Sequence, residues 1–227
     1  MMKKVTVKIC GLMKGSDVIL CIDKGVDILG FVTEYPVIVP WNLNRNTAAS
    51  LIKKVHSPHK SCIVTGGSPD KVISLAAQLK PSMVQLHYQE SLEDTNIITN
   101  ALEKMDIKVI KTVPSLKEDR LAQFGATDIK TIVEALHKTS IYALLADSRS
   151  PANAAAKGTA FDNSFVRQII KLSSKPVIVA GGITHENVRG ILTSTGAKFI
   201  DVMTGVEKNP GDKDPRLLSK LLFAVLN

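Results

Sequence analysis

The sequence has few aromatic residues, few cysteines and no long apolar run, and each shortage excludes a class of protein. Phe, Tyr and Trp make up 4% of the 227 residues, too few for a stacking platform that binds single-stranded nucleic acid. The three cysteines match no zinc-binding spacing, and at least one thiol must stay unpaired within the chain. No apolar run reaches the roughly 18 residues that a membrane span needs. We therefore expect a reduced, cytoplasmic protein that binds neither a membrane nor nucleic acid.

Hydrophobic and basic residues are plentiful instead. Hydrophobic residues make up 44% of the chain, which is enough to bury a core and excludes intrinsic disorder. Lys and Arg total 29 against 21 Asp and Glu, so the formal net charge is +8. The basic residues are scattered, with no run longer than two. This charge favours an anionic partner such as a phosphorylated metabolite, or else serves solubility alone.

Short aliphatic or β-branched runs alternate with longer segments of helical period. Short apolar strands separated by helices indicate a parallel sheet that is buried on both faces. Eight such units predict an α/β fold, a single (β/α)₈ TIM barrel over residues 1–227. An open doubly wound sheet is the alternative, but the turn after the first strand lacks the GxGxxG pattern. The predicted strands are 5–10, 27–32, 61–65, 83–87, 107–111, 141–146, 176–180 and 198–203.

In such a barrel the chemistry lies where the strands end, which directs attention first to Lys8 and Cys10. Side chains alternate along a strand, so these two share a face. If Val7 and Ile9 pack against helices, Lys8 and Cys10 point into the barrel mouth. An ammonium beside the thiol would favour the thiolate and make Cys10 a base or nucleophile. The alternative is that Cys10 is a small buried hydrophobe, as most free cysteines are.

Polar residues also end the fourth and sixth predicted strands. Gln85 and His87 share one face, so they either hydrogen-bond a ligand or form a polar pair that closes the barrel. Asp147 follows an apolar run, where partial desolvation raises a carboxyl pKa towards that of a general acid. The alternative for Asp147 is a cap of the turn at 148–151.

Glycine turns follow the seventh and eighth predicted strands. Gly181 and Gly182 precede a helix, and Gly205 follows Thr204 after the last strand. Glycines at such turns let backbone N–H groups approach an anion. Because barrels often bind phosphate between these two loops, the four residues are candidate phosphate ligands.

Taken together, these segments resemble the phosphoribosylanthranilate isomerase family of tryptophan biosynthesis. The resemblance spans nearly the whole chain in the family's order, and the KICG and VQLH blocks are the most specific. Its matching blocks are 7–11, 30–32, 84–87, the Asp147 turn, 161–162, 181–183, 186–189, 201–202, 205–207 and 210–214.

The resemblance implies an Amadori rearrangement of N-(5-phosphoribosyl)anthranilate to 1-(o-carboxyphenylamino)-1-deoxyribulose 5-phosphate. It makes Asp147 the general acid that opens the furanose ring and Cys10 the base that removes the C2′ proton. It makes Asp201 a polar contact near the reacting centre and the loops at Gly182 and Gly205 phosphate ligands. The substrate nitrogen is its own electron sink, so no cofactor or metal is required. Lys8, Gln85 and His87 are further candidate contacts to the substrate.

The chain departs from the family at three places. Pro40 takes the position of the arginine that grips the anthranilate carboxylate, which leaves Arg45 as the candidate for that contact. The family's glycine-rich stretch becomes alanine-rich over 153–159. Met203 replaces an expected serine, so Thr204 is left to supply the hydroxyl group.

These departures keep two other functions open. One is a related phosphosugar-binding barrel that acts on a different aminoaldose, suggested by Pro40. The other is a non-catalytic barrel that binds phosphate ligands, suggested by the altered loops. The oligomeric state cannot be read from these residues.

Overall fold

The computed structural model describes residues 5–147 and 162–226. Eight parallel strands pair in sequence order, and the first pairs with the last to close the barrel. This confirms the predicted fold. The barrel strands are β1 Thr6–Ile9, β2 Ile28–Val32, β3 Lys60–Thr65, β4 Met83–Leu86, β5 Lys108–Pro114, β6 Ala143–Asp147, β7 Val177–Ala180 and β8 Phe199–Val202.

Helices surround the barrel and return the chain from each strand to the next. Two helices rather than one lie between β5 and β6, a detail that the sequence pattern did not predict. The helices are α1 Gly15–Asp23, α2 Arg45–Ile52, α3 Pro69–Leu79, α4 Leu92–Glu103, α5 Lys117–Phe124, α6 Ile129–His137, α7 Asn163–Leu172, α8 Val188–Thr195 and α9 Pro215–Leu226.

The segment between β8 and α9 has structure of its own. A short 3₁₀ helix, Thr204–Val206, leads into two antiparallel strands, β9 Glu207–Asn209 and β10 Asp212–Lys213. The last helix then begins at Pro215, because Asp214 Oδ1 accepts hydrogen bonds from the backbone N–H groups of the first turn. This small hairpin follows the last barrel strand directly, and its residue Lys213 contacts the backbone of Cys10.

The alternation along β1 places its side chains as predicted. Val7 and Ile9 belong to the core between the strands and the helices. Lys8 and Cys10 face the other way, into the barrel. The lower part of the barrel interior is filled by an apolar cluster of Ile28, Cys62, Met83, Ile110, Ala143, Leu145, Ile178, Ala180 and Phe199. The polar residues on the inward faces are therefore concentrated towards the carboxyl ends of the strands.

Some predicted features fall outside the described residues. They are the turn at 148–151, the alanine-rich stretch at 153–159, and Phe161 of the block at 161–162. Within the two described ranges, no helix has both the length and the apolar character needed to cross a membrane.

Candidate active site

A pocket opens at the carboxyl ends of the barrel strands. Its empty space, including the part open to solvent, is about 660 Å³, within the ~300–1,000 Å³ that is common for small-molecule sites. Polar side chains from β1, β4, β6 and β8 meet apolar ones from the segment after β2. The lining consists of Cys10, Val32, Tyr35, Val39, Trp41, Val64, Gln85, His87, Asp147, Ala180, Asp201 and Met203.

A buried ion pair lies beneath one side of this pocket. Lys8 and Asp201 are directly paired in the register of β1 and β8, and Lys8 Nζ is 2.6 Å from Asp201 Oδ2. The Lys8 side chain is fully buried. Burial alone would lower the Lys8 pKa, but the Asp201 carboxylate and the neighbouring thiols outweigh it, and the pKa is raised. Lys8 therefore stays charged, and it lies behind the pocket rather than in its lining. The sequence-based prediction that Lys8 contacts the substrate would require it to line the pocket.

The Cys10 thiol lies beside this ion pair and lines the pocket. Burial raises the pKa of the thiol, while the Lys8 ammonium lowers it, Asp201 raises it and Lys213 lowers it. The Lys8 ammonium favours the thiolate, as expected, but burial outweighs it and the net result is a raised pKa. Desolvation of a thiolate costs more here than one nearby cation returns, because that cation is already paired with Asp201.

Two buried oxygens at the pocket have no hydrogen-bond partner among the described residues. One is Asp201 Oδ1, the oxygen that does not bind Lys8, and the other is Gln85 Oε1. Buried polar atoms are rarely left without a partner. Because both side chains line the pocket, these oxygens are suited to accept hydrogen bonds from a bound ligand.

The opposite side of the pocket is built around His87. Gln85 Nε2 and Thr112 Oγ1 lie 3.1 and 2.9 Å from His87 Nδ1, so both side chains contact the same ring nitrogen. The other ring nitrogen, Nε2, lies 3.3 Å from Asp147 Oδ2. Tyr35 Oη also donates a hydrogen bond to the His87 backbone carbonyl, at 2.8 Å. Gln85 and His87 are thus hydrogen-bonded to each other, and both line the pocket beside Asp147.

Arg45 is not at the pocket. Its Nε and Nη2 each lie 3.0 Å from a carboxylate oxygen of Glu34, and its Nη1 donates to Gln78 Oε1 at 2.8 Å. The bidentate geometry of a guanidinium with a carboxylate explains why the side chain is held at the start of α2. The predicted contact between Arg45 and the substrate is therefore contradicted, and Pro40 is an exposed residue that brings no charge to the site.

The glycine turns after β7 and β8 lie against each other. Gly181 and Gly182 both have positive φ, 98° and 64°, a region that favours glycine. A Cβ on Gly205 would lie 1.9 Å from the carbonyl oxygen of Ile183, so only glycine allows the two loops to approach this closely. Thr204 is exposed next to Gly205. None of these four predicted phosphate ligands lines the pocket, but Ala180 and Met203, which adjoin them, do.

The aromatic wall of the pocket was not predicted from the sequence. Tyr35 and Trp41 come from the segment between β2 and α2, where no regular pattern indicated which side chains turn inward. Their near-complete burial despite a loop position was the missing signal, and burial of this kind cannot be read from a sequence. As for metals, no group of three or more His, Cys, Asp or Glu side chains in the two described ranges is arranged to hold an ion.

Comparison with known proteins gives a consistent result. The family model for N-(5′-phosphoribosyl)anthranilate isomerase matches residues 7–224. The N-(5′-phosphoribosyl)anthranilate isomerase of Methanosarcina acetivorans is 31% identical over 226 residues, covering 98% of this chain and 93% of the relative. That of Rhodopseudomonas palustris is also 31% identical, over 223 residues and 96% of each chain.

Solved structures agree on the fold. The phosphoribosylanthranilate isomerase of Thermotoga maritima has a TM-score of 0.79 at 24% identity, covering 98% of both chains. The Thermus thermophilus enzyme has a TM-score of 0.78 at 23% identity, covering 97% and 98%. With a matching family model over nearly its whole length and relatives above 30% identity, this chain is an isomerase that belongs to the phosphoribosylanthranilate isomerase family.

Proposed function

We propose that the protein rearranges N-(5′-phosphoribosyl)anthranilate to 1-(o-carboxyphenylamino)-1-deoxyribulose 5-phosphate, with Asp147 as general acid and Cys10 as general base. The observation that carries this proposal is that Cys10, immediately after β1, and Asp147, at the end of β6, line the same pocket. A related structure, 23% identical with a TM-score of 0.75, was solved in complex with reduced 1-(o-carboxyphenylamino)-1-deoxyribulose 5-phosphate. A bound sugar between the two strands would meet an acid on one side and a base on the other.

The first step assigned to Asp147 is ring opening. Its carboxyl group gives a proton to the furanose oxygen, the C1′–O bond breaks, and the nitrogen lone pair forms an iminium ion. His87 Nε2, 3.3 Å from Asp147 Oδ2, holds the carboxyl group in place for this transfer. The contacts to His87 Nδ1 from Gln85 and Thr112 fix the orientation of the ring.

The second step assigned to Cys10 is removal of the C2′ proton. The electrons of that C–H bond form the C1′=C2′ bond, the nitrogen recovers its lone pair, and the enolamine then tautomerises to the ketone. The thiol must ionise for this step, although burial raises its pKa. The positive iminium ion next to the sulfur, together with Lys8 and Lys213, favours the thiolate at the moment it is needed.

The remaining candidates bind rather than react. Asp201 Oδ1 is buried without a partner among the described residues and is suited to accept a hydrogen bond from a sugar hydroxyl. The adjoining glycine turns at Gly181–Gly182 and Thr204–Gly205 offer backbone N–H groups for the phosphate. These turns adjoin Ala180 and Met203, which line the pocket.

The test is turnover of phosphoribosylanthranilate, followed by the loss of its fluorescence. We expect Cys10→Ala and Asp147→Ala each to lower kcat by ~10²–10⁴-fold, the usual contribution of a general acid or base. Cys21→Ala is the matched control, because Cys21 is a fully buried thiol on α1 outside the pocket. Near wild-type rates in either pocket variant would contradict the assignment. Rescue of a tryptophan auxotroph would exclude a barrel that only binds phosphate ligands.

One observation favours a second candidate, an aminoaldose with a different amine. The described residues that line the pocket include Asp147 and Asp201 but no Lys or Arg. The carboxylate of the anthranilate ring would therefore have no cation in this lining, and a carboxylate is costly to bury against an apolar wall without one. The discriminating measurement compares kcat/KM for the anthranilate substrate with that for the aniline analogue, which lacks the carboxylate. A preference for the anthranilate compound would exclude this candidate, and equal or better use of the analogue would support it.

A further inference from the structure

Behind the aromatic wall of the pocket lies a buried carboxylate with several donors. Glu207 is the first residue of β9, and its side chain is 4% exposed. Trp41 Nε1 donates to its two oxygens at 3.0 and 3.2 Å, and the backbone N–H of Gly211 donates to Oε1 at 3.2 Å. Lys213 Nζ lies 2.6 Å from the same Oε1. Glu207 thus joins the segment after β2 to the C-terminal hairpin.

The cation of this pair continues the connection to β1. Lys213 Nζ also donates a hydrogen bond to the backbone carbonyl of Cys10, at 2.5 Å. The Lys213 side chain is fully buried, and its backbone N–H donates to Asp17 Oδ2 at 3.2 Å, which fixes it from the other side. A chain of hydrogen bonds therefore runs from the Trp41 indole through Glu207 and Lys213 to the backbone of Cys10.

The Trp41 ring packs against Gly11, the residue next to Cys10. A Cβ on Gly11 would lie 2.9 Å from Trp41 Cδ1, so the ring packs directly on the residue that follows Cys10. Both side chains line the pocket, and both belong to one apolar cluster with Val32, Tyr35 and Val64. A shift of the ring would thus change the pocket wall next to the strand end that carries Cys10.

We propose that Glu207 and Lys213 are positioning residues that hold the Trp41 ring, as the wall for the aromatic amine of the substrate, in a fixed place relative to Cys10. This inference rests on the proposed function, since that substrate carries an aromatic amine. Burying two opposite charges stabilises a fold little compared with apolar residues of the same shape. Their directional hydrogen bonds fix the relative positions of a loop, a hairpin and a strand end, because each bond joins two defined atoms. Apolar residues of the same shape cannot do this.

The experiment uses Trp41 as its own reporter, because it is the only tryptophan in the chain. Glu207→Gln combined with Lys213→Met removes both charges and keeps similar shapes. We expect this double variant to fold, with Trp41 emission at longer wavelength and stronger quenching by acrylamide in the ligand-free protein. We expect KM to rise by roughly three- to tenfold, the size of a well-placed aromatic contact. A fall in kcat should accompany it, because the Cys10 thiolate loses the favourable charge of Lys213.

Two further variants make the result specific. Trp41→Phe keeps a ring but has no N–H to donate to Glu207, and we expect a rise in KM of similar size with the ion pair intact. The control is Lys14→Met with Asp212→Asn, which removes an exposed ion pair of 2.6 Å that involves the same hairpin. The control should leave emission, quenching and KM at wild-type values.

The outcomes separate this inference from the proposed function. Unchanged quenching and KM in the double variant, or an unchanged KM in Trp41→Phe, would overturn the inference even if stability falls, since stability alone indicates a merely structural pair. An effect of the control as large as that of the double variant would also overturn it. Absence of turnover by the wild-type protein would instead contradict the proposed function, while quenching still tests the position of Trp41.

Discussion

The β1–β8 side of the pocket is charged and almost fully buried, whereas the β4–β6 side is polar and partly open to solvent. On the first side Lys8 is fully buried against Asp201. On the second, His87 is 16% exposed and contacts Asp147, Gln85 and Thr112. A thiol that must lose its own proton before it can act as a base benefits from buried cations, because they favour its anionic form. An acid that gives its proton to a substrate must be held in a defined position, and the contact with His87 provides this for Asp147. The asymmetry of the pocket thus matches the roles proposed for Cys10 and Asp147.

The largest expected effect comes from breaking the charged side. Lys8→Met leaves the Asp201 carboxylate buried without its cation, which we expect to lower the free energy of unfolding by about 3–5 kcal/mol. Chemical denaturation measures this loss. Adding Asp201→Asn to Lys8→Met removes the remaining charge and should recover most of the stability. If Lys8→Met alone were as stable as the wild type, the ion pair would not control this side of the pocket.

Crowding the same side without changing its charge is the next test. A Cβ on Gly30 would lie 2.9 Å from Cys10 Sγ and 3.1 Å from Lys8 Nζ, with the Cys10 backbone also in contact. Displacement of a reacting group by about 1 Å can cost ~10²-fold in rate, so we expect Gly30→Ala to lower kcat/KM by up to that factor. Gly190→Ala is the control, because a Cβ there meets no atom within 4 Å. Equal rates in the two variants would contradict the packing argument.

The pH dependence of turnover tests the ionisation proposed for Cys10. Because burial raises the pKa of Cys10 above its ordinary value near 9, the thiolate is a minor form at neutral pH. Its fraction rises as the pH approaches that pKa, so kcat/KM should increase with pH from neutral into the alkaline range, by at most about tenfold per unit. Since Lys8 lowers the Cys10 pKa, the rise should move to higher pH in Lys8→Met, measured where that variant is folded. A flat profile over this range would count against a thiolate base.

The smallest expected effect lies on the polar side. His87→Asn keeps a hydrogen-bonding side chain but cannot reach Asp147 as the imidazole does, so the carboxyl group loses a contact that orients it. We expect kcat to fall by about tenfold, less than for removal of Asp147 itself, with little change in KM. A wild-type kcat would show that His87 does not position the acid. A rise in KM alone would instead support the earlier prediction that His87 binds the substrate.

Local pattern alone was sufficient for the barrel and for several of the side chains that face its mouth. The alternation in Val7–Lys8–Ile9–Cys10 predicted which side chains face inward, because successive residues of a strand point to opposite sides. The ends of β1, β4, β6 and β8 each carried a polar residue, and those residues lie at one pocket. The prediction failed at Arg45, since a loop has no periodic pattern from which the direction of a side chain follows.

The sequence by itself determined the order of strands and helices and the inward faces of the strands, because these depend on short-range periodicity. Its resemblance to the family, rather than periodicity, named Cys10 and Asp147 as candidate base and acid. Only the tertiary structure decided the pKa of Cys10, since that depends on how completely the fold removes water from the thiol. Only the tertiary structure brought Trp41, Glu207 and Lys213 together, from positions up to 172 residues apart. Contacts of that range arise from closure of the barrel and docking of the C-terminal hairpin, which no local pattern records.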